Sequence, residues 1–118
     1  HFLLGRALEA EGHPEEALRA YREACKHNPT DASVYTRYGL ALSRQGKWAD
    51  AVEVLGKALS VNPEANDARI GLLEALLRER RYDEALKEAA RCTERGIVIP
   101  LELATEMESL KLSSGKTR

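Results

Sequence analysis

Residues 46–63 read GKWADAVEVLGKALSVNP, and residues 12–29 read GHPEEALRAYREACKHNP. Offset by 34 positions, the two stretches align Gly12 with Gly46, Ala17 with Ala51, Ala24 with Ala58 and Asn28-Pro29 with Asn62-Pro63. A third stretch, residues 80–97 (RRYDEALKEAARCTERGI), keeps Ala85 in this register and places Cys92 where the others have Ala. Working outward, Gly5 falls on Gly39, and Leu8 falls on Leu42 and Leu76. A merely alanine-rich helical chain would not set Gly and Asn-Pro in one register. The period is therefore that of a repeated structural unit.

Each unit must bury one face of two short antiparallel helices. Gly in a helix interior costs up to about 1 kcal/mol against Ala, so Gly5 and Gly39 indicate close helix–helix approach. Ala17, Ala51 and Ala85 serve the same purpose in second helices, where a bulkier side chain would push the pair apart. Leu4, Leu8, Tyr21, Leu42, Leu55, Leu72 and Leu76 supply the expected buried apolar area. Gly12 and Gly46 end first helices, and Pro14 opens a second helix where its missing N–H does no harm. Asn28-Pro29 and Asn62-Pro63 end second helices, because the residue before Pro is steered out of the helical region. Asp31 is an N-cap candidate. Together these signals predict seven helices, over about 1–11, 15–27, 32–45, 48–61, 66–79, 82–94 and 101–112.

The combined pattern resembles the tetratricopeptide repeat (TPR) family, whose helix–turn–helix unit is about 34 residues long. Residues 32–65 match best: Tyr35 stands where the family prefers Trp, Tyr38-Gly39 at its Leu-Gly pair and Leu42 at the following Tyr, with Ala51, Leu55, Ala58 and Pro63 completing the motif. The first repeat, 1–31, supplies Leu4-Gly5, Leu8, Ala17, Tyr21, Ala24 and Pro29. The third, 66–99, diverges: Leu73 replaces the Gly, Ala89 a large residue, Cys92 the second Ala and Ile97 the Pro, while Leu72, Leu76, Tyr82 and Ala85 remain. The resemblance implies an all-α solenoid, a right-handed superhelix of antiparallel helix pairs.

The ends depart from the pattern. His1 falls inside the first helix of a repeat, so further residues are expected upstream. Leu103, Met107 and Leu110 form one helical stripe, whereas the repeat register sets Glu106 at a buried position; residues 100–112 therefore read as a capping helix, which a stacked apolar face requires. Residues 113–118 read as a disordered tail.

Composition narrows the function. Eighteen Lys and Arg against 19 Asp and Glu give a net charge of −1, unlike the basic face of a generic nucleic-acid binder; the 34-residue period and the Gly5 and Gly39 pattern also separate the chain from RNA-reading pentatricopeptide repeats. No apolar run reaches the roughly 20 residues of a membrane span. His1, His13, His27, Cys25 and Cys92 show no metal-ligand spacing. The two Cys lie in different repeats, beyond disulfide reach, and read as small buried residues. Gly115-Lys116-Thr117 lacks the upstream Gly of a phosphate-binding loop, since Leu110 stands there. No nucleophile–base pair or paired carboxylates emerge. The expectation is a non-enzymatic module with no cofactor and no metal, in the cytoplasm by default, with periplasm and organelle lumen as the alternatives.

The family resemblance implies a concave groove lined by first helices that binds extended or helical peptides. Helical spacing places Phe2, Arg6, Glu9 and Ala10 on that side in the first repeat. The second repeat offers Ser33, Thr36, Arg37, Leu40, Ser43 and Arg44, and the third Asp67, Ile70, Gly71, Glu74, Leu77 and Arg78. The predicted peptide-binding set is Arg6, Thr36, Arg37, Leu40, Arg44, Ile70, Glu74 and Arg78. Arg6, Arg37 and Arg44 would form a basic stripe for an acidic or C-terminal peptide, since Arg pairs bidentately with carboxylates. Glu9, Asp67 and Glu74 could instead neutralise these cations internally. Some TPR domains clamp chaperone C-terminal carboxylates with Lys and Asn; the matching positions are Phe2, Arg6, Arg37, Asp67 and Gly71, of which only the two Arg could serve. The alternatives are self-assembly through exposed terminal repeat faces and a regulatory or targeting appendage of an enzyme.

Overall fold

The computed structural model describes residues 1–116. They form seven helices: α1 (Phe2–Ala10), α2 (Pro14–His27), α3 (Ala32–Arg44), α4 (Trp48–Val61), α5 (Asn66–Arg78), α6 (Tyr82–Glu94) and α7 (Leu101–Lys116), with no strand among the described residues. Successive helices pack as neighbours, and first helices α3 and α5 also lie side by side. The stack measures 49 × 26 × 20 Å, with a radius of gyration of 15.1 Å. A compact domain of this length would have roughly 13.5 Å. The chain is an all-α repeat solenoid.

The local signals set the helix ends as their chemistry requires. The backbone N–H of Ser33 donates to Asp31 Oδ1 at 3.0 Å, which caps α3, and Pro14 opens α2. Asn28 Nδ2 donates to the Ala24 carbonyl at the end of α2. Within each repeat the turn closes the same way: the N–H groups of His13, Lys47 and Arg81 donate to the carbonyls of Leu8, Leu42 and Leu76, at 2.8, 2.9 and 2.9 Å. The residue before each donor adopts a left-handed conformation. Gly12 and Gly46 do so at φ +82° and +73°, but the third repeat places Arg80 there, at φ +59°. A non-Gly residue is strained in that region. Arg80→Gly is expected to stabilise the chain by up to about 1 kcal/mol and to raise its melting temperature by a few degrees. An unchanged or lower melting temperature in a thermal scan would show that the exposed Arg80 side chain offsets the strain.

The close approaches foreseen at Gly5 and Gly39 exist. A Cβ at Gly5 would stand 2.7 Å from the Tyr21 ring, and one at Gly39 2.5 Å from Leu55. Ala17, Ala51 and Ala85 are fully buried, as are Tyr21 and Leu55, and Leu42, Leu72 and Leu76 join the same core. Cys25 and Cys92 are free thiols in that interior. Leu8 is only half-buried. Leu4 corrects the expected core: it is 53% exposed, with Leu3 beside it at 74%. Its counterpart Tyr38 packs against Ala24 and Cys25 of the preceding repeat, and no described helix precedes α1 to do the same for Leu4.

The third repeat differs in its core chemistry. Arg69 occupies the position of Tyr35, and Glu88 that of Val54. Both charged residues are buried, at 5% and 5% exposure, and Arg69 Nη1 donates to Glu88 Oε2 at 3.0 Å. Arg69 Nη2 donates to the Pro63 carbonyl at 3.0 Å, and Arg91 holds the other Glu88 oxygen. Arg69 Nε has no partner among the described residues. Sequence reading missed this pair, although the loss of an apolar residue at both repeat positions was its signal.

Helix α7 closes the stack through Leu103 and Met107, both buried, and Leu110 at the edge of the core. Glu106 does not enter the buried position that the repeat register assigns to it. Its side chain is 42% exposed and accepts two hydrogen bonds from the Arg78 guanidinium, at 3.0 and 3.1 Å. A carboxylate leaves the core where a surface cation is in reach, and that pairing holds the Glu106 carboxyl below its usual range. The helix continues past the expected boundary at 112 to Lys116, while Thr117 and Arg118 of the expected tail lie outside the described residues.

Candidate functional site

The first helices α3 and α5, with Phe2 of α1 and the start of α7, line two adjoining hollows. The larger, of about 500 Å3, is bounded by Phe2, Ser33, Thr36, Arg37, Leu40, Asn62, Asn66 and Asp67, among others. The smaller, of about 340 Å3, is bounded by Leu40, Asp67, Ile70, Gly71, Glu74, Pro100, Glu102 and Leu103. Leu40 and Asp67 belong to both, so the hollows make one groove. Thr36, Arg37 and Leu40 recur at helical spacing along α3, and Ile70 and Glu74 along α5, so one face of each helix supplies its share. Gly71 makes room for this arrangement: a Cβ there would stand 2.9 Å from Leu40 Cδ2 and 3.2 Å from Leu55 Cδ1.

Five of the eight predicted groove residues come together here: Thr36, Arg37, Leu40, Ile70 and Glu74. The other three lie elsewhere. Arg6 is exposed on α1 and borders neither hollow. Arg44 turns to Glu9, with Arg44 Nε 2.9 Å from Glu9 Oε2. The other Glu9 oxygen accepts from the buried Tyr21 hydroxyl at 2.6 Å. Burial and that carboxylate neighbour push the Tyr21 phenol up to about 12, so Tyr21 remains a neutral donor and ties α1, α2 and α3 together. Arg78 is taken by Glu106. Internal acids, Glu9 and Glu106, thus neutralise two cations of the first-helix surface.

Two further positions assigned to the groove are interior. Ser43 is 8% exposed, with its Oγ unpartnered among the described residues, and Leu77 is 4% exposed. They are the repeat equivalents of Glu9, whose carboxylate meets Arg44 of the next first helix. Sequence reading missed Asn62, Asn66, Pro100, Glu102 and Leu103. The last three come from the start of α7 and the residue before it, in the segment expected only to cap the stack.

Among the described residues no group of three or more His, Cys, Asp or Glu could hold a metal ion. Burial raises the Cys25 thiol to about 11, so it stays protonated near neutral pH and is no nucleophile. None of the described helices is long and apolar enough to cross a membrane. The groove offers one cation, several carboxylates, amides and hydroxyls over an apolar floor, a surface suited to recognition.

Comparison with known proteins agrees with the architecture. Family models described as Tetratricopeptide repeat match residues 1–41 and 38–94. Human tetratricopeptide repeat protein 21A is 33% identical over 96 residues, which covers 81% of this chain but 7% of that protein; the chain thus spans a small fraction of such relatives. The TPR2AB domain of yeast Sti1, in a complex with pHSP90, is 27% identical at a TM-score of 0.68 and covers 73% of this chain and 33% of that one. The first TPR of Spaghetti (RPAP3), bound to the HSP90 peptide SRMEEVD, shares the fold at a TM-score of 0.78 and 20% identity, over 97% of this chain and 92% of that one.

Proposed function

The chain belongs to the tetratricopeptide repeat family, and on that premise we propose that it is a non-enzymatic protein–protein interaction scaffold that docks a peptide or partner helix in its concave groove. The observation that carries this reading is the convergence of Thr36, Arg37, Leu40, Ile70 and Glu74, from two repeats, on one continuous hollow. An apolar floor with a few placed polar groups is what a recognition cleft needs. The yeast Sti1 neighbour, in its pHSP90 complex, makes a protein ligand a natural choice. A carboxylate clamp of the chaperone-binding kind is a poor match: Arg37 alone brings a cation to the groove lining, and Asp67 at the shared edge would repel a second carboxylate.

The test is a pair of baits, the chain itself and an Arg37→Glu, Leu40→Glu variant, exposed to lysate and read by mass spectrometry. Circular dichroism checks that the variant is folded. Proteins held by the first bait and lost from the second would support the groove. Identical captures would place binding on another face and refute the reading. Arg37→Ala alone is expected to change stability by no more than about 0.5 kcal/mol, as for an exposed residue without core contacts; a larger loss in a denaturant titration would mean that Arg37 serves the fold.

A further inference from the structure

We propose that the groove selects a mixed-charge segment, with an acidic residue seated at Arg37 and a basic one, a few residues away, seated between Glu74 and Glu102. This rests on the groove reading above and refines its ligand. The reasoning begins with the charges that the fold consumes. Arg44 is held by Glu9, and Arg78 by both oxygens of Glu106. Arg37 is then the one cation on the groove lining, in the larger hollow beside Thr36 and Asn66. The smaller hollow has no cation in its lining; its charged groups are Asp67, Glu74 and Glu102. None of these three carboxylates forms an ion pair among the described residues; Arg78, whose charge Glu74 favours from a distance, is paired with Glu106.

Acidic residues alone would not make a site, but these stand around an apolar floor formed by Leu40, Ile70 and Leu103. That combination suits a Lys or Arg, whose alkyl stem lies on the floor while its charged head meets the carboxylates. A carboxylate in the same place would face like charge and lose the solvation of its own charge, which disfavours a uniformly acidic ligand. The shared Leu40 wall lets one extended chain occupy both hollows. Neighbouring helix axes lie about 8–10 Å apart, and an extended chain advances about 3.3 Å per residue. The acid and the base should therefore be roughly two or three residues apart, with an apolar side chain between them over Leu40.

A displayed library of randomised octapeptides, selected on the whole chain, tests this directly. Three variants are selected in parallel: Arg37→Glu, the pair Glu74→Lys with Glu102→Lys, and Leu40→Glu, each checked for folding by circular dichroism. The expected result is enrichment of peptides with Asp or Glu and Lys or Arg at that spacing. The double Lys variant should lose the basic residue and Arg37→Glu the acidic one. A synthetic peptide from the first selection should bind at least tenfold more weakly to either variant by fluorescence anisotropy at low salt, where screening is least. Enriched peptides that are uniformly acidic, or whose basic residue persists on the double Lys variant, would overturn the mixed-charge inference and leave the groove reading standing. No enrichment, or binding that Leu40→Glu leaves intact, would overturn both.

Discussion

Glu88→Ala is expected to destabilise the chain by about 3–5 kcal/mol, the range for removing one partner of a buried ion pair. Arg69 would be left in the interior with only the Pro63 carbonyl as partner and its Nε still unsatisfied. The loss arises from that stranded charge more than from the pair's own attraction. A second variant separates the two contributions. Arg69→Tyr with Glu88→Val installs the residues that the second repeat carries at these positions, where Tyr35 packs against the core containing Val54. Replacing a buried pair by packed apolar groups is often neutral or stabilising, so the double variant should recover most or all of the lost stability. Urea denaturation of both variants measures this. Because repeat arrays can open in parts, amide hydrogen exchange should place the Glu88→Ala loss in α5 and α6. A loss below about 1 kcal/mol would mean that the pair is solvated and the region loosely packed.

The period made the fold readable. Gly5, Gly39 and the three small residues at 17, 51 and 85 each state a distance between helices, and Gly12, Gly46 and the Asn-Pro pairs each state where a helix must stop. Those constraints are local, so seven helices followed with ends displaced by a few residues at most. What failed was whatever depends on the neighbour across a seam. Leu4 looks like a core residue until one asks which helix covers it, and Ser43 looks like a groove residue although it is buried. The same holds for the candidate site. Helical spacing brought five of the eight predicted residues to the groove, but could not say whether Arg44 or Arg78 has an acid within reach, because Glu9 and Glu106 lie 35 and 28 positions away in sequence. The two internal pairs changed the groove from a basic stripe into a surface of mixed sign. Arg69 and Glu88 carry the same lesson inside the core: each alone reads as a surface residue, and only their juxtaposition across α5 and α6 explains their burial.

Leu55 joins the repeats to one another, and its truncation should show this. The side chain is fully buried, and it fills the space above both Gly39 of its own repeat and Gly71 of the next. Leu55→Ala is expected to cost about 2–5 kcal/mol, the range for a core leucine whose cavity cannot fully collapse. Two helices of a rigid stack bound that cavity, which favours the upper half of the range. Gly39→Ala should cost about 1–3 kcal/mol by the opposite mechanism, because its Cβ would stand 2.5 Å from Leu55. The two defects occupy the same space, so they should offset each other. With Leu55 shortened, the new methyl at position 39 enters a vacancy instead of a clash, and Ala is the better helix former. The double variant should therefore lose less than the sum of the single losses, with a coupling of about 0.5–3 kcal/mol in a denaturant double-mutant cycle. Strict additivity would mean that α3 shifts away from α4 to admit the methyl group, and that the glycine at 39 is not the device that sets the spacing of the pair.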